Sequence, residues 1–505
     1  MAHAAEPKLN IFPKEIAGIP GSPPSEYKDI PDTQAQPSTA TQPVVSPPRT
    51  PPGEKDEHKA RKISQGEFES ERHFYPRVLN AQIHPLVQSF FTLGNDRIIA
   101  RYTHLNPQVK PEHLREILSY QPTHFQWAGS DLFNVTTASG QRQMIVIETN
   151  SCPSGQKSMP LLSETDEHNE QGGYRQVIQQ AFQSQLSKAD PKLGGLAVVC
   201  DKNMMESSGY AAVLSDVAKE DVWLVEWYVD DPDPNVKWED GVLHIRDEAK
   251  AGGRNKMMAA RAYDFYNSEL VDTGLGIRTP ETINNVTRGE IPLWIHSMGG
   301  HAVLKVPYSN AGQGVYTITN EVELGAFMAE DHHYDKFIVQ SLVGNASWSS
   351  VTRAGKFYHV GTIPNKKSNT FVSDLRMMVA GSENGFRPVC IYGRKARLPL
   401  TAKLDTDVNT WDMLGTNLSL KLPDGSWTTD TSRLILMDRK DFNQLGLGID
   451  DLIDAYIQTC LAVIAIDRMA SRLMANGRFD YNLFRSLNPD NALLKEIQQA
   501  NNDDF

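Results

Sequence analysis

The sequence predicts a mixed α/β (α+β) fold that follows a disordered N-terminal tail. Three observations lead to this prediction. Residues 1–65 are rich in Pro, Ser, Thr and Gln, short β-rich apolar runs alternate with helical apolar spacing from Gly66 onward, and residues 441–500 have mainly helical spacing. A segment with few aliphatic side chains buries too little apolar surface to fold, whereas alternating strands and helices are typical of a sheet covered by helices.

The composition limits the classes of function. The chain has 505 residues, of which 40% are hydrophobic and 22% charged, and its formal net charge is −12. An acidic chain argues against a nucleic-acid partner, but a pocket on it can be locally basic and bind phosphate. No apolar run is long enough to cross a bilayer, and the N-terminal residues lack the apolar segment of a secretory signal. The four cysteines have neither metal nor disulfide spacing, so we expect a cytoplasmic protein without membrane contact.

The region from 66 to 250 predicts an α/β part with a largely parallel sheet. A turn at Ser139–Gly140 separates two β-rich runs, and helices and strands alternate after it. Alternation of this kind is typical of parallel strands joined by helical crossovers. The expected helices are Pro111–Tyr120, Tyr174–Leu186 and Tyr210–Val217, and the expected strands are Phe133–Thr136, Gln143–Thr149, Leu196–Cys200, Val222–Tyr228 and Val242–Ile245.

Two further parts are predicted after this region. Residues 251–440 begin with a helix, Lys256–Leu270, and continue with β-rich runs. Residues 441–505 form a helical segment, in which the apolar stripe between Ile449 and Met474 predicts a helix packed on a core. The expected strands of the middle part are Ala302–Val306, Val315–Thr319, Phe337–Leu342, Lys356–Thr362, Leu375–Val379 and Arg387–Tyr392.

The run from His301 to Ile318 carries the strongest chemical signal. A strand delivers Lys305 to a small turn, Ser309–Gly314, and a second strand leads away. Glycines let backbone N–H groups approach phosphate oxygens, and a lysine adds a mobile positive charge to the same anion. The same glycine spacing also occurs in an ordinary hairpin, so the loop alone leaves both interpretations open.

Other motifs suit the same ligand. Lys256 opens a helix, where the helix dipole disfavours a cation unless it binds an anion; an exposed surface lysine is the alternative. The strand that contains Gln340 and leads to Val343 can offer backbone groups to an adenine edge, as any buried strand can. Glu148 and Asn150 are two residues apart near a strand end, so their oxygens face one way and suit Mg²⁺. A polar strand terminus is the alternative interpretation of that pair.

Alternation along the run Ser373–Val379 places Asp374 and Arg376 on one face of a strand. Beside a phosphate loop, such an arginine stabilises the charge that develops on a transferring phosphoryl group. A structural ion pair between the two side chains is the alternative.

Together these motifs resemble the ATP-grasp superfamily. Their order, with Glu-x-Asn far upstream of the lysine loop, is similar to its circularly permuted branch and to eukaryotic glutathione synthetase-like ligases. The resemblance covers roughly residues 120–400 as an order of motifs. The runs that carry it are Ser130-Asp-Leu-Phe133, Ile147-Glu-Thr-Asn-Ser151, Asn255-Lys256 and Val303-Leu-Lys-Val-Pro307.

The resemblance implies a circularly permuted ATP-grasp fold with ATP and Mg²⁺ as cofactors. It implies that residues 66–250 bind the substrate and that residues 251–440 bind the nucleotide under a glycine-loop lid. The implied site residues are Glu148 and Asn150 for the metal, Asp374 and Arg376 for catalysis, and Lys256, Lys305, Ser309, Asn310, Gly312, Gln313, Gly314, Gln340 and Val343 for the nucleotide.

The sequence departs from that family at two places. Gly129 stands where the synthetase has a substrate-binding arginine, and Ser309–Asn310 stands where its loop has a metal-binding glutamate. The resemblance therefore implies the same reaction with a different substrate: an ATP-dependent ligase that joins a small carboxylic acid to an amine, such as an amino acid or short peptide, through an acylphosphate. The segments Arg394–Arg397 and Gly415–Leu418 are expected to close over the acceptor.

Two rival functions stay open. An ATP-binding scaffold or regulatory protein of synapsin-like type, with little turnover, also joins an ATP-grasp fold to a proline-rich tail. An ATP-grasp small-molecule kinase would phosphorylate a hydroxyl group instead. A monomer and a homodimer are both compatible with the sequence.

Overall fold

Two antiparallel sheets, of six and four strands, form the framework of the described chain. The structure is a computed structural model that describes residues 61–68, 81–151, 153–160, 171–188, 195–200, 204–226, 255–309, 314–353, 355–404, 409–421, 427–474 and 478–501. These residues belong to one compact unit, Pro48–Phe505, and the second unit, Met1–Pro47, lies outside them.

Strands and helices alternate irregularly along the chain. A π-helical turn, Ile178–Phe182, joins the helices Gly172–Val177 and Gln183–Leu186. The strands are β1 Arg61–Ile63, β2 Trp127–Thr137, β3 Arg142–Ser151, β4 Leu196–Cys200, β5 Val222–Glu226, β6 Thr282–Thr287, β7 Ala302–Lys305, β8 Val315–Ile318, β9 Lys336–Ser341, β10 Phe357–His359, β11 Ser373–Ser382, β12 Gly385–Lys395, β13 Ser419–Lys421, β14 Trp427–Thr429 and β15 Leu434–Ile435. The helices are α1 Pro85–Thr92, α2 Asn95–Leu105, α3 Pro111–Leu118, α4 Gly172–Val177, α5 Gln183–Leu186, α6 Met204–Ala218, α7 Lys256–Glu269, α8 Ile291–Ser297, α9 Glu321–Ala329, α10 Thr410–Leu414, α11 Ile449–Leu473, α12 Tyr481–Leu487 and α13 Asn491–Asn501.

The six-stranded sheet is built from two long hairpins. β2 pairs with β3 on one edge and with β11 and β10 on the other, and β12 and β15 follow β11. The predicted strand pair on either side of Ser139–Gly140 is confirmed, and both strands are longer than predicted. The sheet combines strands from both predicted parts, residues 66–250 and residues 251–440. The boundary between these two parts therefore remains a prediction.

Helix α11 covers one face of this sheet. Its apolar residues, among them Leu452, Tyr456, Ile457, Val463 and Ile464, are fully buried in the main core. The stripe that predicted a core-packed helix is therefore confirmed. The helix has 25 residues, but no helix of the described chain combines the length and apolarity needed to cross a membrane.

The four-stranded sheet has the order β6-β9-β7-β8, and all of its pairings are antiparallel. Its core is separate from the main one and combines strand residues with residues of α8 and α9, including Leu304, Phe327 and Phe337. The Asn320 side chain caps α9 by accepting a hydrogen bond from Glu323 N at 2.9 Å. The four-stranded sheet and these two helices therefore enclose a second apolar core.

Two expectations about the first part are wrong. Among the described strands only β4 and β5 pair in parallel, so the predicted largely parallel sheet does not form. The hairpin turns explain this result, since strands joined by short turns are antiparallel. The predicted tail also extends too far, because Arg61–Ile63 forms β1 and Ile63 packs in an apolar cluster with Leu224. Residues 1–60 of the tail and Val242–Ile245 lie outside the described residues.

Candidate functional site

A cleft opens between the two main sheets and helix α7. Four of the residues predicted to bind a nucleotide or metal lie together on its walls: Glu148, Lys256, Lys305 and Gln340. The remaining wall residues are Ile147, Thr149, Ala259, Ala260, Tyr263, Asp264, Asn267, Thr279, Thr282 and Ile338. The structure thus brings together motifs that are far apart in the sequence.

Helix α7 presents Lys256 to the cleft from its first turn. Asn255 is the N-cap, and its Oδ1 accepts a hydrogen bond from Met258 N at 2.9 Å. The backbone N–H of Lys256 donates to Pro307 O at 2.9 Å, which fixes the start of the helix to the end of β7. The helix N-terminus and its lysine therefore point at the same place as the loop that follows Lys305.

The Lys256 amine is bound to the base of that loop. Its Nζ donates to Ser309 O at 2.7 Å and to Ser309 Oγ at 2.9 Å. The far end of the loop closes where Val306 N donates to Gly314 O at 2.9 Å. Gly314 has a positive φ of 63°, and a Cβ there would meet Val306 Cγ2 at 2.3 Å, so only glycine fits. The predicted nucleotide-binding residues Asn310, Gly312 and Gln313 lie outside the described residues.

A β-bulge brings Glu148 and Lys305 together. Asp131 pairs with Glu148 and Leu132 with Val146, which leaves Ile147 as the extra residue of β3. The Lys305 Nζ donates to the carbonyl oxygen of Ile147 at 3.3 Å. Because a bulge re-aims the residues around it, it turns this end of β3 toward the lysine.

Burial lowers the pKa of both lysines. For Lys256, the nearby Glu148 carboxylate opposes the effect of burial. For Lys305, burial is the main cause, Glu148 and Asp131 counteract it, Lys256 adds to it, and the pKa falls to about 8. One buried and one half-buried ammonium group, each only partly balanced by a carboxylate, lie in one cleft, so a bound anion would stabilise their charged forms.

Glu148 and Asn150 point in the same direction, as their spacing predicted. Asn150 Nδ2 lies 3.4 Å from Glu148 Oε1 and 3.5 Å from Asp131 Oδ2. Its amide nitrogen faces carboxylates, so the amide oxygen is the atom it can offer to a cation. Within the described residues no group of three or more His, Cys, Asp or Glu side chains is placed to hold a metal. The pair fits Mg²⁺ because that ion needs only one or two protein carboxylates beside phosphate oxygens.

Arg376 lies behind the cleft wall in a buried ion network. Its guanidinium binds Asp131 in a bidentate manner, at 2.6 and 2.8 Å, and Nη1 donates to Tyr392 Oη at 2.9 Å. Burial raises the pKa of Asp131, but Arg376 and Arg394 overcome this effect and hold that pKa well below its usual range. Arg376 therefore acts here as the counter-ion of Asp131 and does not line the cleft.

Asp374 pairs with Arg394 rather than with Arg376. Arg394 Nε lies 3.0 Å from Asp374 Oδ1, and Thr416 Oγ1 donates to Asp374 Oδ2 at 2.7 Å. The pairing of Asp374 with Arg394 across β11 and β12 explains this choice of partner. The predicted closing segments are thus joined here through Arg394 and Thr416.

Sequence reasoning missed a chain of hydroxyl groups that begins in the cleft wall, at Tyr263 and Thr149, and ends at Ser130. Tyr263 Oη donates to Thr149 Oγ1 at 2.8 Å, and Thr149 Oγ1 lies 2.8 Å from Ser130 Oγ. The register of the hairpin makes Ser130 and Thr149 partners across β2 and β3. No sequence signal indicated that Tyr263, on a distant helix, would join them.

Gln340 and Val343 have different surroundings. Gln340 lines the cleft and donates from Nε2 to Thr282 Oγ1 at 2.9 Å. Val343 packs in an apolar cluster with Val135 and Ile145 and is not among the residues that line the cleft. The backbone that follows β9 is also occupied, because Leu342 N donates to Ser350 Oγ at 2.7 Å.

Comparisons with known proteins show a faint similarity to solved structures. No protein-family model matches the chain, and no curated protein matches it. Among solved structures, the chain is similar to a RimK domain protein ATP-grasp from Sphaerobacter thermophilus, with 14% sequence identity and a TM-score of 0.21. That similarity covers 39% of this chain and 90% of the other. At these values it assigns neither a family nor a function.

Proposed function

We propose that the chain is an ATP-dependent carboxylate–amine ligase with an ATP-grasp fold of the circularly permuted kind. The observation that carries the proposal is the meeting of Lys256, Lys305 and Glu148 in one cleft. Two cations beside one carboxylate suit a metal-bound triphosphate, because the lysines neutralise phosphate oxygens while the carboxylate holds the metal.

The proposed reaction has two balanced steps. A carboxylate oxygen of the acid attacks the γ-phosphorus of ATP, and the bond from that phosphorus to the β–γ bridging oxygen breaks, which gives an acylphosphate and ADP. The amine nitrogen then attacks the acyl carbon and loses a proton, and the bond from that carbon to the phosphate oxygen breaks. The products are an amide, ADP and phosphate.

The residues of the chain act by position and charge. Lys305 and Lys256 bind the phosphates, and Lys256 exchanges its contacts with Ser309 for a phosphate oxygen. Glu148 and the Asn150 amide oxygen would hold Mg²⁺, which supplies charge neutralisation when bound. Asp131 and Arg376 position this end of β3 from behind, since Asn150 Nδ2 lies 3.5 Å from Asp131 Oδ2.

The substrates we propose are a small carboxylic acid and an amine such as an amino acid or short peptide. The proposed compartment is the cytoplasm, because the thiols of Cys200, Cys390 and Cys460 in the described chain are free and reduced thiols are typical there.

The test is ADP release with hydroxylamine as a surrogate amine across a panel of amino and carboxylic acids. We expect at least one acid to give a hydroxamate, and Lys305→Ala to lower its rate by about a hundredfold, as loss of a charged phosphate contact does. Lys367→Ala is the matched control, because this lysine is exposed and lies outside the cleft lining. Tight Mg-ATP binding without turnover of any acid would refute the ligase.

One observation favours a second function, an ATP-binding scaffold with little turnover. The guanidinium of Arg376 is committed to Asp131 and Tyr392, so it is not free to stabilise a transferring phosphoryl group. If the chain is such a scaffold, no acid of the panel gives a hydroxamate, whereas Lys305→Ala still weakens Mg-ATP binding in a titration. A hydroxyl kinase would instead give a phosphorylated product that hydroxylamine does not cleave.

A further inference from the structure

The cleft has two chemically different ends along helix α7. Lys256 and Asp264 both line it, eight residues apart on the same side of the helix. At a rise of 1.5 Å per residue, their Cα atoms are separated by about 12 Å. The charge that acts on Lys256 is Glu148, whereas the charge that acts on Asp264 is Arg261. One end is therefore cationic and contains the metal-binding candidates, and the other contains an exposed carboxylate.

Most polar side chains at the Asp264 end already have partners. Asn267 Oδ1 accepts from Ile277 N at 2.7 Å, and its Nδ2 donates to Ile277 O at 3.0 Å. Thr282 Oγ1 donates to Pro280 O at 2.8 Å and accepts from Gln340. These bonds hold the wall in shape and leave those groups little capacity for a ligand.

Asp264 and Thr279 differ from these neighbours. Both line the cleft, and within the described residues neither side chain has a hydrogen bond or a close ion pair. Arg261 affects Asp264 only through its charge. Between Lys256 and Asp264 the helix lines the cleft with Ala259, Ala260 and Tyr263, and the small side chains of the two alanines leave room for a ligand along the helix.

We propose that Asp264 accepts hydrogen bonds from the ribose hydroxyl groups of a nucleotide whose phosphates lie at Lys256 and Lys305. This inference rests on the proposed function, because it requires a nucleotide in the cleft. The carboxylate repels phosphate, so it fixes the direction in which the ligand lies. An Asp or Glu that accepts from ribose hydroxyls is an established means of reading a nucleotide sugar, and the separation along α7 is comparable with a triphosphate and ribose together.

The experiment measures dissociation constants of the full chain for Mg-ATP, its 2′-deoxy and 3′-deoxy forms, and inorganic tripolyphosphate. The variants are Asp264→Ala and Asp264→Asn, with circular dichroism to establish that both are folded. Asp272→Ala is the matched control, since this aspartate is exposed just after α7 and lies outside the cleft lining.

We expect the parent chain to bind Mg-ATP about tenfold more tightly than at least one deoxy form, the size expected for a hydrogen bond to a charged group. Both Asp264 variants should bind Mg-ATP about tenfold more weakly, lose the discrimination, and keep the affinity for tripolyphosphate. The control should match the parent.

The outcomes separate this inference from the proposed function. If the chain binds Mg-ATP and the variants discriminate against the deoxy forms as the parent does, the role of Asp264 is refuted and the proposed function stands. The same holds if the parent does not discriminate, or if tripolyphosphate loses as much affinity as Mg-ATP does once Asp264 is removed. Absence of Mg-ATP binding by the parent would refute both.

Discussion

Lys305 shows how one buried residue can prepare a site for an anion. Only 6% of the residue is exposed, and among the described residues its Nζ has one hydrogen bond, to Ile147 O. Burial brings its pKa to about 8 although Glu148 and Asp131 favour the charged form. A bound polyphosphate would add negative charge beside the amine and raise this pKa again.

Binding of an anion should therefore take up protons above pH 8. The free chain is then mostly neutral at Lys305 and the complex is protonated, so the affinity for Mg-ATP or tripolyphosphate should fall as the pH rises from 8 to 9.5. Calorimetric titrations in buffers of different ionisation enthalpy measure the uptake directly. Lys305→Met should remove most of it. An unchanged uptake in that variant would show that another group titrates.

His359 should make the fold less stable in acid. It is half-buried and packs against the Phe133 ring, with centroids 4.5 Å apart, and the partial loss of solvent lowers its pKa from 6.5 to about 3. Between these values only the unfolded chain takes up the proton. The free energy of unfolding is therefore unaffected by His359 above pH 6.5, and it decreases as the pH falls from 6.5 toward 3.

Replacing His359 with Phe should flatten the fall in stability between pH 6 and pH 4 by about 1.4 kcal/mol per pH unit. Urea unfolding across that range measures the slope. His104→Gln, at an exposed position on α2, should leave the slope unchanged. A variant as acid-sensitive as the parent would mean that His359 is protonated in the folded state.

At the scale of elements, the hairpin of β7 and β8 depends on one glycine. Gly314 Cα has no room for a methyl group beside Val306, whereas Gly325, within α9, has open space around it. Gly314→Ala should lower the free energy of unfolding by about 2 kcal/mol through strain at a positive φ, and it should weaken Mg-ATP binding. Gly325→Ala should raise the free energy of unfolding by up to about 1 kcal/mol. Equal effects in thermal unfolding would contradict this account of the hairpin.

Several elements could be predicted because their signal is local. The apolar stripe of α11 and the turn between β2 and β3 each follow from residues that are near one another in the sequence. The direction of strand pairing was mispredicted, because helices between strands do not decide which strands become neighbours. β11 pairs with β2, more than two hundred residues away, and no local pattern contains that information.

Some features of the candidate site could likewise be predicted from the sequence, and others depend on the folded chain. Spacing placed Glu148 and Asn150 on one side of β3 and placed Asp374 and Arg376 on one face of β11. The partner of each arginine depends on strand register, which sets Arg376 against Asp131 and Arg394 against Asp374. The role of Tyr263 depends on the docking of α7, so only the folded chain reveals it.

At the scale of the whole molecule, two separate apolar cores flank the cleft. The main core holds α11 against the six-stranded sheet, and the second core lies within the four-stranded sheet and its helices. Smaller contacts also join the two sheets: Lys305 Nζ of β7 donates to Ile147 O of β3 at 3.3 Å, and Val303 of β7 and Phe133 of β2 pack on one small apolar cluster. Such contacts contribute less than a shared apolar core would, so we expect the sheets to open with different free energies.

Cavity-forming substitutions should reveal this difference by hydrogen exchange. Phe327→Ala, in the second core, removes a buried ring and should cost about 3–5 kcal/mol locally. It should speed amide exchange in α9 and β9 while leaving β11 and β12 protected. Ile464→Ala, in α11, is the matched substitution in the main core, and it should speed exchange in β11 and β12. Mg-ATP should slow exchange in both sheets because the proposed ligand contacts Lys305 of one and Glu148 of the other. Equal acceleration of all four elements by Phe327→Ala would show instead that the two cores unfold as one unit.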